Sequence, residues 1–234
     1  MSDARRKEIL NELGLIPLWR TRNNNFASSM TQVSSSAVDT TNNRHFQIFN
    51  SDWDQLKASV ASCTVCSLCQ ARTQTVFGVG DKNADWLCVG EAPGREEDIK
   101  GEPFVGPAGK LLDNMLEAIN LKRGKNVYIA NIVKCRPPDN RDPDHSEAQQ
   151  CEPYLTRQIE LIKPKLIIAL GKVAAQNLLN TGATITSLRG KLHEYSGIPL
   201  IVTYHPSYLL RIQSDKAKVW EDLCFARNTM QTML

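Results

Sequence analysis

The segment GEAPGREEDIKGEPFVG, Gly90–Gly106, follows directly on the apolar run Trp86–Val89 and begins with a Gly/Pro turn. In parallel α/β proteins, ligands bind beyond the carboxyl ends of the strands, so this turn is a candidate binding segment. A nucleotide-phosphate site is not predicted, because Phe104 and Leu111 stand where the Walker pattern needs Gly and Ser or Thr. The crowded carboxylates of the segment would also repel phosphate. We therefore expect the turn to bind something other than a triphosphate.

The rest of the chain alternates short apolar runs with amphipathic stretches of helical period. The predicted strands are rich in Val, Ile and Leu and cover residues 86–90, 127–133, 166–170 and 199–204. The predicted helices lie between or after these strands, at residues 107–120, 146–162, 172–180 and 215–231. This alternation predicts an α/β fold in which helices cover both faces of a parallel sheet.

The 234 residues are enough to bury one full core. Ahead of that core, residues 1–22 predict an amphipathic helix, and residues 23–48, rich in Ser, Asn and Thr, predict a disordered linker. The folded domain is expected to cover residues 50–234. Without an apolar run of about 18 residues or a secretory signal, no membrane partner is expected. The net charge of +3 is too small to indicate nucleic-acid binding by itself.

The seven cysteines, in a chain without an export signal, indicate a reducing cytoplasm, where cysteines are more often ligands or core residues than disulfides. Cys63 and Cys66 form a CxxC pair just ahead of the core, and Cys69 extends it by one step. Cys135 follows a predicted strand, and Cys151 lies at the start of a predicted helix. This pattern predicts a four-thiolate site for zinc or an iron–sulfur cluster, and it also allows a ferredoxin-like triplet of the first three. The other two cysteines are expected in the core.

Among the four histidines, one stands at the end of a predicted buried strand. This residue, His205, is followed by Pro-Ser-Tyr-Leu-Leu-Arg, and a histidine at the carboxyl mouth of a strand is a candidate site residue. The other three histidines lie in polar segments and are expected to be solvated.

Four motifs, in this order and at this spacing over residues 60–231, resemble those of the uracil-DNA glycosylase superfamily, and most closely its iron–sulfur type 4 group. They are GEAPG (Gly90–Gly94), GEPFVG (Gly101–Gly106), NIVKCRPP (Asn131–Pro138) and HPSYLLR (His205–Arg211). The resemblance implies a three-layer α/β/α sandwich around a four-stranded parallel sheet. It also implies an enzyme that hydrolyses the N-glycosidic bond of uracil in DNA and leaves an abasic site, the first step of base excision repair. We expect a cytoplasmic monomer that acts on single- or double-stranded DNA.

The resemblance further implies a 4Fe–4S cluster bound by Cys63, Cys66, Cys135 and Cys151. Cys69 falls one step beyond the pair of the family and is not expected to be a ligand. Two residues after the last of these ligands comes a proline, which is tolerated in a first helical turn but bends a later one. The helix in this region is therefore expected to begin late or to bend.

The resemblance also assigns the active-site roles. Glu91 and the backbone of Ala92 and Pro93 are expected to lie against the uracil and the attacking water. The ring of Phe104 is expected to stack on the flipped base. An amide is both donor and acceptor, so Asn131 is expected to read the uracil edge. His205 is expected to donate to the O2 anion that develops on the departing base.

Two positions of the first motif differ from the best-known branch of the superfamily. Ala92 stands where an Asp orients the water there, and Gly94 stands where a Tyr blocks the thymine methyl group. The water-positioning role is then expected to fall to Glu91, and the exclusion of the methyl group to Glu97. The other carboxylates of this turn, Glu96 and Asp98, are expected to be solvated.

The last motif is expected to contact the DNA. Leu209 is predicted to be the apolar wedge that enters the base stack, while Leu210 packs inward. Ser207 and Arg211 are predicted to bind phosphates.

Two other classes of protein share part of this sequence pattern: a non-catalytic, DNA-polymerase-associated metal module and a ferredoxin-like electron carrier. The complete set of site residues argues against the first, and the lack of a second full cysteine set in the sequence argues against the second.

Overall fold

The computed structural model describes residues 36–233 and the isolated residue Arg5. The described residues contain one six-stranded sheet with the strand order β1-β3-β2-β4-β6-β5. The strands are β1 (Val79–Gly80), β2 (Trp86–Gly90), β3 (Val127–Asn131), β4 (Leu166–Leu170), β5 (Leu192–Tyr195) and β6 (Ile198–Thr203).

The four inner strands, β3, β2, β4 and β6, are all parallel, as predicted. The two edge strands were not predicted, and both pair antiparallel with their neighbours, so the complete sheet is mixed. The sequence signal for these edges is weak because β1 has two residues and β5 is half exposed, with alternating burial. The prediction of a four-stranded sheet is therefore correct for the centre and incomplete at both edges.

Nine α-helices surround the sheet in the described part of the chain. They are α1 (Ser36–Asn50), α2 (Trp53–Ala61), α3 (Arg95–Lys100), α4 (Pro107–Ala118), α5 (His145–Ile162), α6 (Lys172–Leu178), α7 (Ile185–Leu188), α8 (Pro206–Arg211) and α9 (Lys216–Gln231). None of the helices described here combines the length and the apolar character needed to cross a membrane.

The core lies in two layers, one on each face of the sheet, because successive residues of a strand point to opposite faces. On β2, Leu87 and Val89 join the layer that packs against α2, α5 and α6. Trp86 and Cys88 join the layer that packs against α4, α8 and α9. All five residues of β2 are buried, as expected for a central parallel strand. The result is the predicted α/β/α sandwich.

The segment that was predicted to be a linker is shorter than expected. Residues 36–48 of it belong to α1, and the compact unit of the domain begins at Asp39 rather than at residue 50. Ile48 is only 2% exposed, and Arg44 donates to the carbonyl of Gln150 and packs on the ring of Tyr154. These tertiary contacts stabilise a helix that its polar composition does not predict. The predicted helix at residues 1–22 lies outside the described residues, apart from Arg5.

Helix α5 begins early and contains Pro153 in its interior. It starts at His145, well before Cys151, where the sequence predicted a late start or a bend. Its first turn is stabilised because Glu147 accepts hydrogen bonds from the backbone of Asp144 and from Arg141. The proline falls well after this first turn and removes one interior hydrogen bond.

Candidate active site and cysteine cavity

The candidate site lies at the carboxyl edge of the parallel strands, where Gly90 pairs in register with Asn131. A side chain at Gly90 would collide with Oδ1 of Asn131 and would come within 2.5 Å of Cζ of Phe104. A Cβ on Gly171, directly after β4, would lie 2.8 Å from Cβ of His205. The two glycines therefore let Asn131, Phe104 and His205 lie close together at this edge of the sheet.

Phe104 has a left-handed backbone, with φ of +55°, and its ring is buried rather than exposed. The centroid of this ring lies 5.5 Å from that of His205, with 32° between the planes. Arg123 fixes the strained loop by donating to the carbonyls of Pro103 and Phe104 at 2.9 and 2.8 Å, and it also pairs with Asp113. A non-glycine residue held in this region costs on the order of 1–3 kcal/mol, and such strain is typical of functional sites.

His205 is held in one tautomer. The backbone N–H of Ser207 donates to its Nδ1 at 3.1 Å, and the Ser207 hydroxyl lies 2.7 Å from the same atom. Because a backbone N–H can only donate, Nδ1 is the acceptor, and the proton of the neutral imidazole sits on Nε2. Burial lowers the pKa of His205 to about 4, with Arg211 adding to the effect and Glu97 opposing it. At neutral pH the ring is therefore a neutral hydrogen-bond donor.

Asn131 is 2% exposed, and its Oδ1 has no hydrogen-bond partner among the described residues. A buried acceptor without a partner is unfavourable, so such an atom is a candidate ligand contact. The main-chain carbonyl of Asn131 accepts from Nζ of Lys134 at 2.9 Å. The side chain is thus free to bind a ligand while the backbone behind it is fixed.

Glu91 follows β2 and has two charged neighbours that the sequence did not reveal. Burial, together with the carboxylate of Asp142, raises the pKa of Glu91 to about 7, and Lys172 opposes the rise. Both neighbours line a large polar cavity between α5 and α6. Asp142 lies in a loop, and Lys172 is the first residue of α6, so neither belongs to a predicted motif.

The carboxylates at the start of α3 connect the loops of the site. Glu97 accepts from the backbone N–H groups of Gly94, Val105 and Gly106 at 2.9–3.1 Å, which joins the first two motifs. Asp98 is 2% exposed and accepts from the backbone N–H of Thr73. The prediction that Asp98 is solvated is therefore wrong, whereas Glu96 is exposed as expected.

The last motif corrects two of the predicted DNA contacts. Leu209 is 1% exposed and belongs to the core, whereas Leu210 is 43% exposed. A side chain buried in the core cannot enter a base stack while α8 stays folded, so the wedge assignment of Leu209 is wrong. Ser207 is bound to His205, so its hydroxyl proton is not free for the predicted phosphate contact. Arg211 is exposed and remains available for one.

The predicted metal-binding cysteines line one small cavity. Its wall contains Cys63, Cys66, Cys135 and Cys151, which come from three separate segments, and also Cys69. Among the described side chains, no three Cys, His, Asp or Glu residues converge closely enough to share a single metal ion.

Two cations lie beside this cavity. Arg72 donates from Nη1 to Sγ of Cys135 at 3.0 Å, and the backbone N–H of Lys134 donates to Sγ of Cys151 at 3.3 Å. The Lys134 side chain is fully buried, and burial lowers its pKa to about 8 against the opposing influence of Cys151 and Cys135. A guanidinium and a backbone N–H directed at sulfur, with a buried lysine on the same wall, suit a bound group of net negative charge, such as a thiolate-ligated cluster.

Comparison with known proteins identifies the class. The sequence model of the Uracil DNA glycosylase superfamily matches residues 77–224, which contain the four converging strand ends. The chain therefore belongs to the uracil-DNA glycosylase superfamily.

Within this superfamily the chain is similar to several type-4 enzymes. It is 44% identical to the type-4 uracil-DNA glycosylase of Archaeoglobus fulgidus over 73% of this chain and 92% of the relative. It is 45% identical to that of Sulfurisphaera tokodaii over 67% and 75%, and 44% identical to that of Thermotoga maritima over 70% and 87%. The resemblance seen in the four motifs is thus confirmed, and the chain is a member of the type-4 group.

Proposed function

We propose that the protein is a uracil-DNA glycosylase that hydrolyses the N-glycosidic bond of uracil in DNA, leaves an abasic site and begins base excision repair. The observation that carries this proposal is the close approach of Asn131, Phe104 and His205 at the carboxyl edge of the sheet, with an unpartnered acceptor on Asn131 and a neutral donor on His205. We also propose that it acts in the cytoplasm as a monomer on single- and double-stranded DNA.

The chemistry of this pocket suits the departure of uracil. Breaking the bond places negative charge on the base, and the Nε2–H of His205 is a donor for the developing O2 anion. The ring of Phe104 offers a face on which the flipped base can stack. The Asn131 amide can accept from N3–H of uracil and donate to O4, and cytosine presents the opposite pattern.

The attacking water is assigned to Glu91. This carboxylate stands at the end of β2, where the superfamily motif places the water, and the neighbouring Ala92 cannot orient one. In its ionised form Glu91 can accept a proton from the water and stabilise the positive charge that develops on the sugar. The raised pKa of Glu91, about 7, means that it is only partly ionised at neutral pH.

A pH profile tests this assignment. Since Glu91 must be deprotonated to act and its pKa is about 7, the single-turnover rate is expected to rise between about pH 5.5 and about pH 8.5, with an inflection near 7. His205, with a pKa of about 4, stays neutral throughout this range. Glu91→Gln should be slow and should lose the inflection. A rate that falls with increasing pH, or an inflection that persists in Glu91→Gln, would contradict the role.

Exclusion of the thymine methyl group is assigned to Glu97. A Cβ on Gly94 would lie 2.7 Å from Oε2 of Glu97, so Glu97 occupies the space beside the position where the best-known branch has a Tyr. Its three backbone hydrogen bonds hold the carboxylate in place. A fixed side chain in this position can exclude a methyl group by steric contact.

We further propose that Cys63, Cys66, Cys135 and Cys151 bind a 4Fe–4S cluster. The donor set fits: four thiols surround one cavity, and Arg72 and Lys134 supply positive charge beside it. Such a cluster would join the segment before β1 to the segment after β3 and to α5. Its role would then be to stabilise the fold on this side of the sheet.

The DNA contacts are assigned to the exposed end of α8. Leu210 and Ile212 are each 43% exposed and flank Arg211, so an apolar wedge and a phosphate-binding cation lie side by side. Extrusion of a base costs a few kcal/mol, and least for a mispaired or single-stranded base. An inserted side chain offsets part of this cost.

Alanine substitutions at Leu209 and Leu210 test which of the two side chains enters the base stack and which one packs in the core. Leu210→Ala is expected to slow excision most from a U·A pair, less from a U·G mispair and least from single-stranded DNA, without changing the melting temperature. Leu209→Ala is the matched control, and it should lower the stability by about 2–5 kcal/mol because it leaves a cavity in the core. If Leu210→Ala slows all three substrates equally, then Leu210 is not the wedge.

The proposed function is tested by incubating the purified protein with an end-labelled oligonucleotide that contains one uracil, followed by alkali. Cleavage at the uracil position, and none in the matched thymine oligonucleotide, is expected. A non-catalytic DNA-binding module would retain the oligonucleotide without creating an alkali-labile site.

A further inference from the structure

Lys134 is a buried lysine whose side chain has two uncharged hydrogen-bond partners. The residue is 1% exposed, and its Nζ donates to the carbonyl of Asn131 at 2.9 Å and to Oε1 of Gln158 at 2.6 Å. Lysine is rarely buried to this extent unless a charged partner compensates it. The placement of this ammonium therefore calls for a compensating negative charge close by.

The cysteine cavity adjoins Lys134 and is a candidate site for such a charge. Lys134 lines that cavity, its backbone N–H donates to Sγ of Cys151, and the next residue along the chain is Cys135. A cluster held by four thiolates carries net negative charge and would compensate the ammonium. The two groups would then stabilise each other.

Lys134 also contacts the end of β3, which carries Asn131, the residue proposed to read the base. Its hydrogen bond to the Asn131 carbonyl fixes the backbone at the end of β3, directly behind the unpartnered Oδ1. Gln158, the second partner, is fully buried on α5 and donates to the carbonyl of Phe77 at 2.9 Å. Lys134 thus contacts Cys151 through its backbone N–H and the strand end that carries Asn131 through its side chain.

We propose that Lys134 is a positioning residue that couples the cysteine cavity to the base-reading Asn131. A charged group in the cavity keeps the buried ammonium in place, and the ammonium keeps the Asn131 backbone in the position that reads uracil. The activity part of this inference rests on the proposed function, whereas the link between Lys134 and the cavity does not.

A double-mutant cycle with Asn131 tests the coupling. Lys134→Met has nearly the same shape and lacks the charge and the donors, so it should slow single-turnover uracil excision by about tenfold to hundredfold. In the Asn131→Ala background the same change should cost less than about threefold, because the residue through which Lys134 acts is already gone. Losses that multiply in the double variant would overturn the coupling. Lys165→Met is the control, since Lys165 is half exposed and only pairs with Asp85.

Two further readouts need no activity. Visible absorption of the iron–sulfur cluster should decay several-fold faster in Lys134→Met than in Lys165→Met when a chelator is added. Hydrogen exchange in the peptide that contains residues 128–135 should also be faster in Lys134→Met. If both match the control, the inference is wrong, even if the wild type excises uracil. If the wild type is inactive but both readouts change as expected, the proposed function fails and the structural link stands.

Lys134→Met could fail to fold, because it leaves two buried acceptors without donors. In that case Gln158→Met provides the decisive variant, since it removes one partner of the ammonium and keeps the other. It should slow excision in the same direction, and this loss should also shrink in the Asn131→Ala background. A full loss in both backgrounds would contradict the coupling.

Discussion

His205→Ala is expected to slow single-turnover excision of uracil by about two to three orders of magnitude. The Nε2–H of His205 is the proposed donor to the departing base, and loss of one preorganised donor to a developing anion costs about 2.7–4 kcal/mol in the transition state. Asn131→Ala should have an effect of the same size, because it removes the amide that reads the base edge. Binding to DNA that already contains an abasic site should change much less in both variants.

Ser207→Ala provides the matched comparison for His205. Its backbone N–H still donates to Nδ1, so the tautomer of the imidazole is preserved and the rate should fall far less than in His205→Ala. Near-wild-type excision by both His205→Ala and Asn131→Ala would show that the chemistry takes place elsewhere in the molecule.

Cys135→Ser is expected to remove the iron–sulfur cluster and most of the soluble, folded protein. The proposed ligands come from the segment before β1, the segment after β3 and helix α5, so one lost ligand loosens three parts of the fold. Metal-dependent domains are often unfolded without their metal, so a large loss of stability is expected. The brown colour, the iron content and the melting temperature of the wild type and the variant provide the measurement.

Cys69→Ser and Cys224→Ser are the controls for this experiment. Cys69 borders the cavity without being a proposed ligand, and Cys224 lies on α9, on the opposite face of the sheet. Both variants should keep the cluster. If Cys69→Ser loses the cluster while Cys151→Ser retains it, the ligand assignment is wrong. Stoichiometric zinc without iron in protein purified without air would contradict the identity of the cofactor.

Sequence patterns predicted the centre of the fold because that part of the chain obeys strong local rules. The strand Trp86–Gly90 is apolar throughout and ends in a Gly/Pro turn, and β4 has the same character. The segment 36–48 was missed since its helix depends on contacts such as the burial of Ile48 and the hydrogen bond from Arg44 to α5. Contacts of this kind join distant parts of the chain and leave no local pattern.

The same limit applies to the site. The motifs singled out Asn131, Phe104 and His205, and these residues lie close together in the structure. Arg123, which fixes the backbone of Phe104, lies outside every motif because its role depends on the two carbonyls that the fold brings to it.

Helical phase accounts for the error at α8. Leu209 and Leu210 are adjacent and equally apolar, so only the packing of the helix decides which of them is buried.

Release of free uracil from DNA is the measurement that tests the central claim most directly. The wild type, incubated with DNA labelled in its uracil bases, should release free uracil in amounts equal to the abasic sites formed, and His205→Ala purified in the same way should release far less. Equal release by both proteins would point to a contaminating enzyme. No release by cluster-loaded wild type would contradict the assignment of this pocket as a uracil-DNA glycosylase active site.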